Sequence, residues 1–233
     1  MKIELWSDFA CPFCYIGKKR FEKALNNFPH KDQVEVIYKS YQLNPNAPKV
    51  MKGRAIDNFA KGHSMSVEKA KERFNMFKEQ ANSVGLTYDY DNIQMTNSFD
   101  AHRLSKWANQ FGLEAKLTER LMKAYFTDGL NIADIDILVT IADEVGLSKE
   151  DAKKVLESKD YGDQVVNEIN EGRQIGVQGV PFFVLNRKYG VSGAQPVEYF
   201  TQVMEKLWEE EKPFEELITE RNGHTCDDEG CTI

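Results

Sequence analysis

The chain has 233 residues, 41% of them hydrophobic and 11% aromatic, enough to build a folded core. Its 30 Lys and Arg are outnumbered by 37 Asp and Glu, for a net charge of −7. With no block of basic residues, that balance argues against nucleic-acid or anionic-membrane partners, whose phosphates call for a positive surface.

Residues Lys2 to Phe9 are short and apolar and read as a buried strand. From Pro12 the apolar residues Phe13, Ile16, Phe21, Leu25 and Phe28 recur at helical spacing, with proline in the first turn, where its missing N–H is harmless. Gln33 to Leu43 alternates and is rich in β-branched and aromatic residues, a second strand. The opening is therefore β-α-β, which implies parallel strands with a right-handed crossover. Asn44 to Met51, with two prolines, is a connection, and the pattern is then helical to about Glu157. Ser66–Val84, Asp100–Phe111, Glu114–Phe126, Ile135–Val145 and Lys149–Leu156 are its helices. Gly112, Gly129 and Gly146 fall at helix ends, and Ser148 with Asp151 forms a start signal. Tyr161 to Gly176 is another helix. Phe182 to Asn186 and Tyr189 to Ser192 form a hairpin turning at Arg187-Lys188, and Pro196 to Glu211 is a terminal helix. The expected fold class is α/β, a thioredoxin-like fold with an inserted all-helical domain. Residues 1–43 and 160–210 would form the first domain, 44–159 the insertion, and 211–233 an acidic tail.

The four cysteines form two close pairs, Cys11/Cys14 and Cys226/Cys231. Cys11 falls between a strand and a helix, at a helix N-terminus whose unpaired N–H groups favour negative charge. Such a field stabilises a thiolate, the nucleophile of disulfide exchange. Cys14, one turn on, lies on the same side and can attack a mixed disulfide formed at Cys11. C-x-x-C is also a zinc knuckle, but knuckles sit in tight turns and not at the mouth of a long helix, so no metal is expected. Two inert core cysteines at this position would be a coincidence.

About 170 residues after this pair, Val180-Pro181 opens an apolar strand. An X-Pro bond takes the cis form at modest cost, typically in a tight turn. That geometry would bring the Val180 backbone beside the cysteines, where it could pair with an extended substrate. Alone, the dipeptide would read as an ordinary trans proline at an edge strand.

Three stretches, Ser7 through Gly17 around Cys11-Pro12-Phe13-Cys14, Ala101-His102-Arg103-Leu104, and Gly176 through Pro181 with Ser192-Gly193-Ala194-Gln195, together resemble the DsbA-like branch of the thioredoxin superfamily, and within it the FrnE-like oxidoreductases. The resemblance implies a nucleophilic Cys11, a resolving Cys14, a cis Pro181 and substrates that are protein thiols or disulfides. Pro12, Phe13 and Val180 become candidate substrate-binding residues. Cys226 and Cys231 resemble a second redox pair found in some FrnE-like proteins. Two features depart from the pattern. No histidine precedes Cys14, and the position where many relatives bury an acid is Leu5; Asp8 and Glu4 lie nearby without matching it. The proton acceptor for Cys14 is therefore unassigned. A neighbouring branch, the 2-hydroxychromene-2-carboxylate isomerases and kappa-class glutathione transferases, carries serine in place of Cys11. A glutathione-dependent activity is the alternative, with glutathione the small thiol that the reading admits.

The tail pair encloses four residues and can close into a disulfide. It follows the last helix by fifteen residues, a reach of roughly 50 Å, and exchange with Cys11-Cys14 stands beside an inert tail or a metal site with His224. His102, alone on a helical face, reads as a packing or hydrogen-bonding residue. Phe74, Phe77, Trp107 and Tyr125 read as core; Phe9, Phe13 and Tyr15 read equally as core or as an apolar rim for a protein substrate. Met1 to Asp8 has no basic segment leading a long apolar run, and no stretch approaches the roughly 18 apolar residues of a membrane helix, so a cytoplasmic protein is expected. The fold also admits a homodimer.

Overall fold

The structure, a computed structural model, describes residues 1–211 and the backbone of 226–227 and 230–231. Strand β1 (Lys2–Ser7) leads into α1 (Pro12–Asn27), and after a 3-10 turn at Lys31–Gln33 the chain returns as β2 (Glu35–Ser40), parallel to β1. Six helices follow: α2 (Ala55–Gly62), α3 (Val67–Asn82), α4 (Phe99–Asn109), α5 (Glu114–Phe126), α6 (Ile135–Val145) and α7 (Lys149–Glu157). Helix α8 (Gly162–Gln174) brings the chain back to the sheet, where β3 (Phe182–Leu185) and β4 (Tyr189–Ser192) form a hairpin before α9 (Val197–Glu210). The sheet order is β2-β1-β3-β4, with β3 antiparallel to both neighbours. This is the expected α/β frame with helices inserted between β2 and α8.

The alternation of β1 builds the layers. Ile3 and Leu5 join Phe21 of α1, Phe28 just past its end, and Phe200, Met204 and Leu207 of α9 in one core. On the opposite face, the Trp6 indole N–H donates to the Glu168 carbonyl of α8 at 2.9 Å. A Cβ at Gly172 would lie 2.7 Å from that indole nitrogen, so glycine is what lets α8 approach. Cys14, Tyr15 and Ile16 of α1 belong to a larger core with Phe74, Leu104, Leu117 and Phe126 from the inserted helices.

Sequence signals account for several helix ends. Ser66 and Ser148 cap α3 and α7 by accepting from the N–H three residues on, and Gly146 ends α6 at φ 101°. Gly112 and Gly129 lie two residues beyond the caps of their helices. Arg103 of α4 reaches the end of α7 and donates to the carbonyls of Val155, Leu156, Ser158 and Asp160. Both early strands are shorter than their apolar patterns: β1 stops at Ser7 because the next residues turn, and β2 starts only after the 3-10 turn. Cys226 and Cys231 pair across two short strands, β5 (Cys226–Asp227) and β6 (Gly230–Cys231). Their side chains, and the expected exchange with Cys11-Cys14, lie outside the described residues, as does His224.

Candidate active site

At the end of β1 the chain turns through Asp8-Phe9-Ala10, closed by the Cys11 N–H donating to the Asp8 carbonyl at 3.1 Å. Cys11 is the N-cap of α1, in extended backbone conformation and with no capping bond from its side chain. Its thiol is left to point elsewhere: Sγ donates to the Val180 carbonyl at 3.4 Å. The Val180–Pro181 peptide is cis. Opposite Pro181 stands Gly17, where a Cβ would lie 2.9 Å from the proline Cγ. The first turn of α1 is held from outside, the Tyr88 hydroxyl donating to the Pro12 carbonyl at 2.7 Å.

The two cysteines differ in setting. Both are free thiols. Cys11 lines a cleft of about 700 Å³ with Pro12, Phe13 and Val180. Cys14 has no exposed surface and accepts from the Asp8 N–H at 3.4 Å. Burial pushes the Cys14 thiol well above the ordinary thiol range and the neighbouring Cys11 adds to this, while the Ser7 hydroxyl and the Asp8 N–H pull the other way.

Phe13 packs edge-on against Phe77 at 5.3 Å and is half-buried at the cleft wall, part core and part rim. Phe9 and Tyr15 are buried core. So are Phe74, Phe77, Trp107 and Tyr125, although Phe77 and Tyr125 also border the cleft. Among the described residues no group of three or more His, Cys, Asp or Glu side chains could hold a metal ion, and no helix is long and apolar enough to cross a membrane.

Glu4 is turned away from the cysteines, toward Lys39 and Arg187. Asp8 is not. It is fully buried, and its carboxylate accepts from the Leu43 N–H at 2.7 Å and from the Ala10 N–H at 3.2 Å. Burial alone would raise this carboxyl, but His102, the Leu43 N–H and Ser98 outweigh it and hold the group below its ordinary value. His102 Nε2 lies 3.7 Å from Asp8 Oδ1, and its ring packs on Phe9 at 4.6 Å. His102 is thus a packing residue, as its sequence suggests, and also the partner of an acid beside Cys14. Nothing local in the sequence links the two, which stand 94 positions apart.

The sequence pattern of the DsbA-like thioredoxin domain matches residues 2–205. The chain belongs to that family. It superposes on the crystal structure of a probable DsbA oxidoreductase from Streptomyces coelicolor with a TM-score of 0.87 and 38% identity, covering 100% of this chain and 99% of that one. The uncharacterized protein YwbO of Bacillus subtilis (strain 168) is 26% identical over 78% of this chain and 86% of its own. The cytosolic disulfide reductase DsbM of Pseudomonas aeruginosa, solved with GSH, shares the fold at a TM-score of 0.64 and 16% identity, covering 89% of this chain and 100% of that one.

Proposed function

We propose that this DsbA-like chain is a thiol-disulfide oxidoreductase of the FrnE-like branch, working through Cys11 and Cys14 on protein or small-molecule thiols and disulfides. The observation that carries the reading is the setting of Cys11: a thiol at a helix N-terminus, on a cleft, 3.4 Å from the backbone carbonyl of Val180. Cys11 attacks the substrate disulfide and displaces one substrate thiolate. Cys14 then attacks Cys11 Sγ, and the second substrate thiolate leaves as the Cys11–Cys14 disulfide forms. An extended substrate segment would lie along Val180 and over Pro12 and Phe13, each of which borders the cleft. The reading places the protein in the cytoplasm, where a reducing thiol pool keeps such a pair cycling. It needs no metal or further cofactor, and glutathione is the small thiol that would reduce or load the centre.

Reduction of insulin disulfides in the presence of dithiothreitol tests this. Activity is expected from the unaltered chain and not from Cys11→Ser. Equal activity in both, or none in either, overturns the reading.

A further inference from the structure

The turn that leaves β4 carries the Ser192-Gly193-Ala194-Gln195 sequence, and its bonds lead toward the active site. The Gly193 N–H donates to the Pro181 carbonyl at 2.8 Å, one step beyond the pairing of Phe182 with Ser192. Pro181 has no N–H, so it is held here through its carbonyl. Gly193 takes a φ of +80°, a left-handed conformation that suits glycine. Gln195 closes the turn, its Nε2 donating to the Ser192 carbonyl at 2.7 Å. Ala194 faces Gly17 of α1, where a Cβ would lie 3.3 Å from the Ala194 Cα.

Arg20 grips this turn from α1. Its Nη1 donates to the Ala194 carbonyl at 2.7 Å, and its Nη2 donates to Gln80 Oε1 of α3 at 2.7 Å. Hydrogen bonds from a charged donor are stronger than neutral ones. The planar guanidinium also holds two acceptors in fixed directions, as an ammonium does not. Gln80 lies one turn past Phe77, which borders the Cys11 cleft together with Arg73. Arg20 therefore joins two borders of that cleft: α3, and the turn bonded to Pro181 beside Val180.

We propose that Arg20 is a positioning residue for protein substrates. Through Ala194, Gly193 and Pro181 it fixes the Val180 backbone against Cys11, and through Gln80 it fixes that backbone relative to α3. The proposal rests on the thiol-disulfide reading above, in which an extended substrate lies along Val180. The Val180 carbonyl is 3.4 Å from Cys11 Sγ, so a shift of the turn displaces the substrate-pairing backbone from the reacting sulfur. Arg20 itself lies outside the Cys11 cleft, on a separate groove with Lys19, Lys23, Gln80 and Pro196, and acts only through the turn. A small disulfide, which reaches Cys11 without lying along Val180, does not call on it.

The test compares a substrate that uses this backbone with one that does not. Insulin reduction is followed at varied insulin concentration, with dithiothreitol as the recycling reductant. Separately, the reduced full-length protein is mixed with bis(2-hydroxyethyl) disulfide, quenched with acid at intervals, and mapped by mass spectrometry for the Cys11 adduct. Arg20→Met removes both bonds and is expected to raise the KM for insulin about tenfold, the scale of one charge-assisted hydrogen bond, with kcat and the rate of adduct formation unaltered. Arg20→Lys should recover part of the affinity, because one ammonium cannot serve both oxygens. Gln80→Leu, which frees the guanidinium from α3, should raise KM in the same direction. An unaltered KM in Arg20→Met overturns the proposal. So does adduct formation slowed as far as insulin reduction, the result of a purely structural role. If Arg20→Met does not fold, Arg20→Lys and Gln80→Leu carry the test, and an unaltered KM in both overturns it. Failure of the unaltered chain to form the Cys11 adduct would instead sink the oxidoreductase reading.

Discussion

Gly17 and Pro181 approach so closely that a Cβ on the glycine would fall 2.9 Å from the proline Cγ and 3.3 Å from the Ala194 backbone. The proline ring cannot swing aside as a long side chain would, so the strain of Gly17→Ala passes to the Val180–Pro181 segment facing Cys11. Overpacking of this kind costs about 1–3 kcal/mol. Gly17→Ala should lower the urea midpoint accordingly and, on the proposed reading in which a protein substrate pairs with the Val180 backbone, slow insulin reduction more than it slows alkylation of Cys11 by a small reagent.

The settings of the two thiols predict their order of reaction. Brief treatment of the reduced protein with iodoacetamide should modify Cys11, which lines the cleft, and spare Cys14, which is fully enclosed and whose thiol is pushed up by burial. Peptide mapping reads the result. Equal labelling of both would contradict the enclosed position of Cys14.

Glu119 ties α5 to α1, meeting Lys18 and Lys19 at 2.6 Å and accepting from the Tyr15 hydroxyl at 2.7 Å. Burial raises its carboxyl, but the two lysines and the tyrosine more than reverse this and bring it down to about 2 from 4.5. A carboxyl held below its unfolded value contributes stability that is complete above about pH 4.5 and is lost as pH falls toward 2. Glu119→Gln should therefore cost about 1–2 kcal/mol near neutral pH, a figure reduced for the partial exposure of the carboxylate. Denaturant titrations of the two proteins should converge by about pH 2.

Lys106 carries the opposite sign. Its buried ammonium neutralises Glu114 of α5 and Glu168 of α8, and burial already pushes the Glu114 carboxyl up. Lys106→Met leaves two enclosed carboxylates facing each other, a loss of about 3–5 kcal/mol. A carboxyl held above its unfolded value weakens the fold as pH rises past that value. The variant should be least stable at neutral and higher pH and regain part of its stability as acid approaches about pH 4.5, as followed by thermal unfolding.

What the sequence showed and what it withheld divide along chain separation. Cys11, Cys14 and Pro12 sit within one turn of a strand-to-helix junction, where spacing alone suggests the chemistry. The inward positions of α9, Phe200, Met204 and Leu207, follow from period and are core. The Asp8–His102 pair does not follow from period, because Asp8 sits in a three-residue turn and His102 on the inner face of a helix in the insertion. Glu4 and Asp8 look equivalent in sequence, and only the pleat of β1 sends the first toward Arg187 while the turn sends the second inward. Lys106, Glu114 and Glu168 are three charges on three amphipathic helices. Each alone reads as solvated, and their mutual neutralisation is visible only once α4, α5 and α8 are packed.

The grip of the inserted helices on α1 bears on how small a chain of this family can be made. Tyr88 holds the Pro12 carbonyl, Glu119 holds Lys18, and Tyr15 and Ile16 lie in the core that the insertion completes. Excising residues 44–159 to leave the sheet with α1, α8 and α9 would strip the back of α1, baring two large apolar side chains and stranding a lysine. In this chain the insertion is a structural half of the cysteine motif, and the two cannot be inherited or engineered apart.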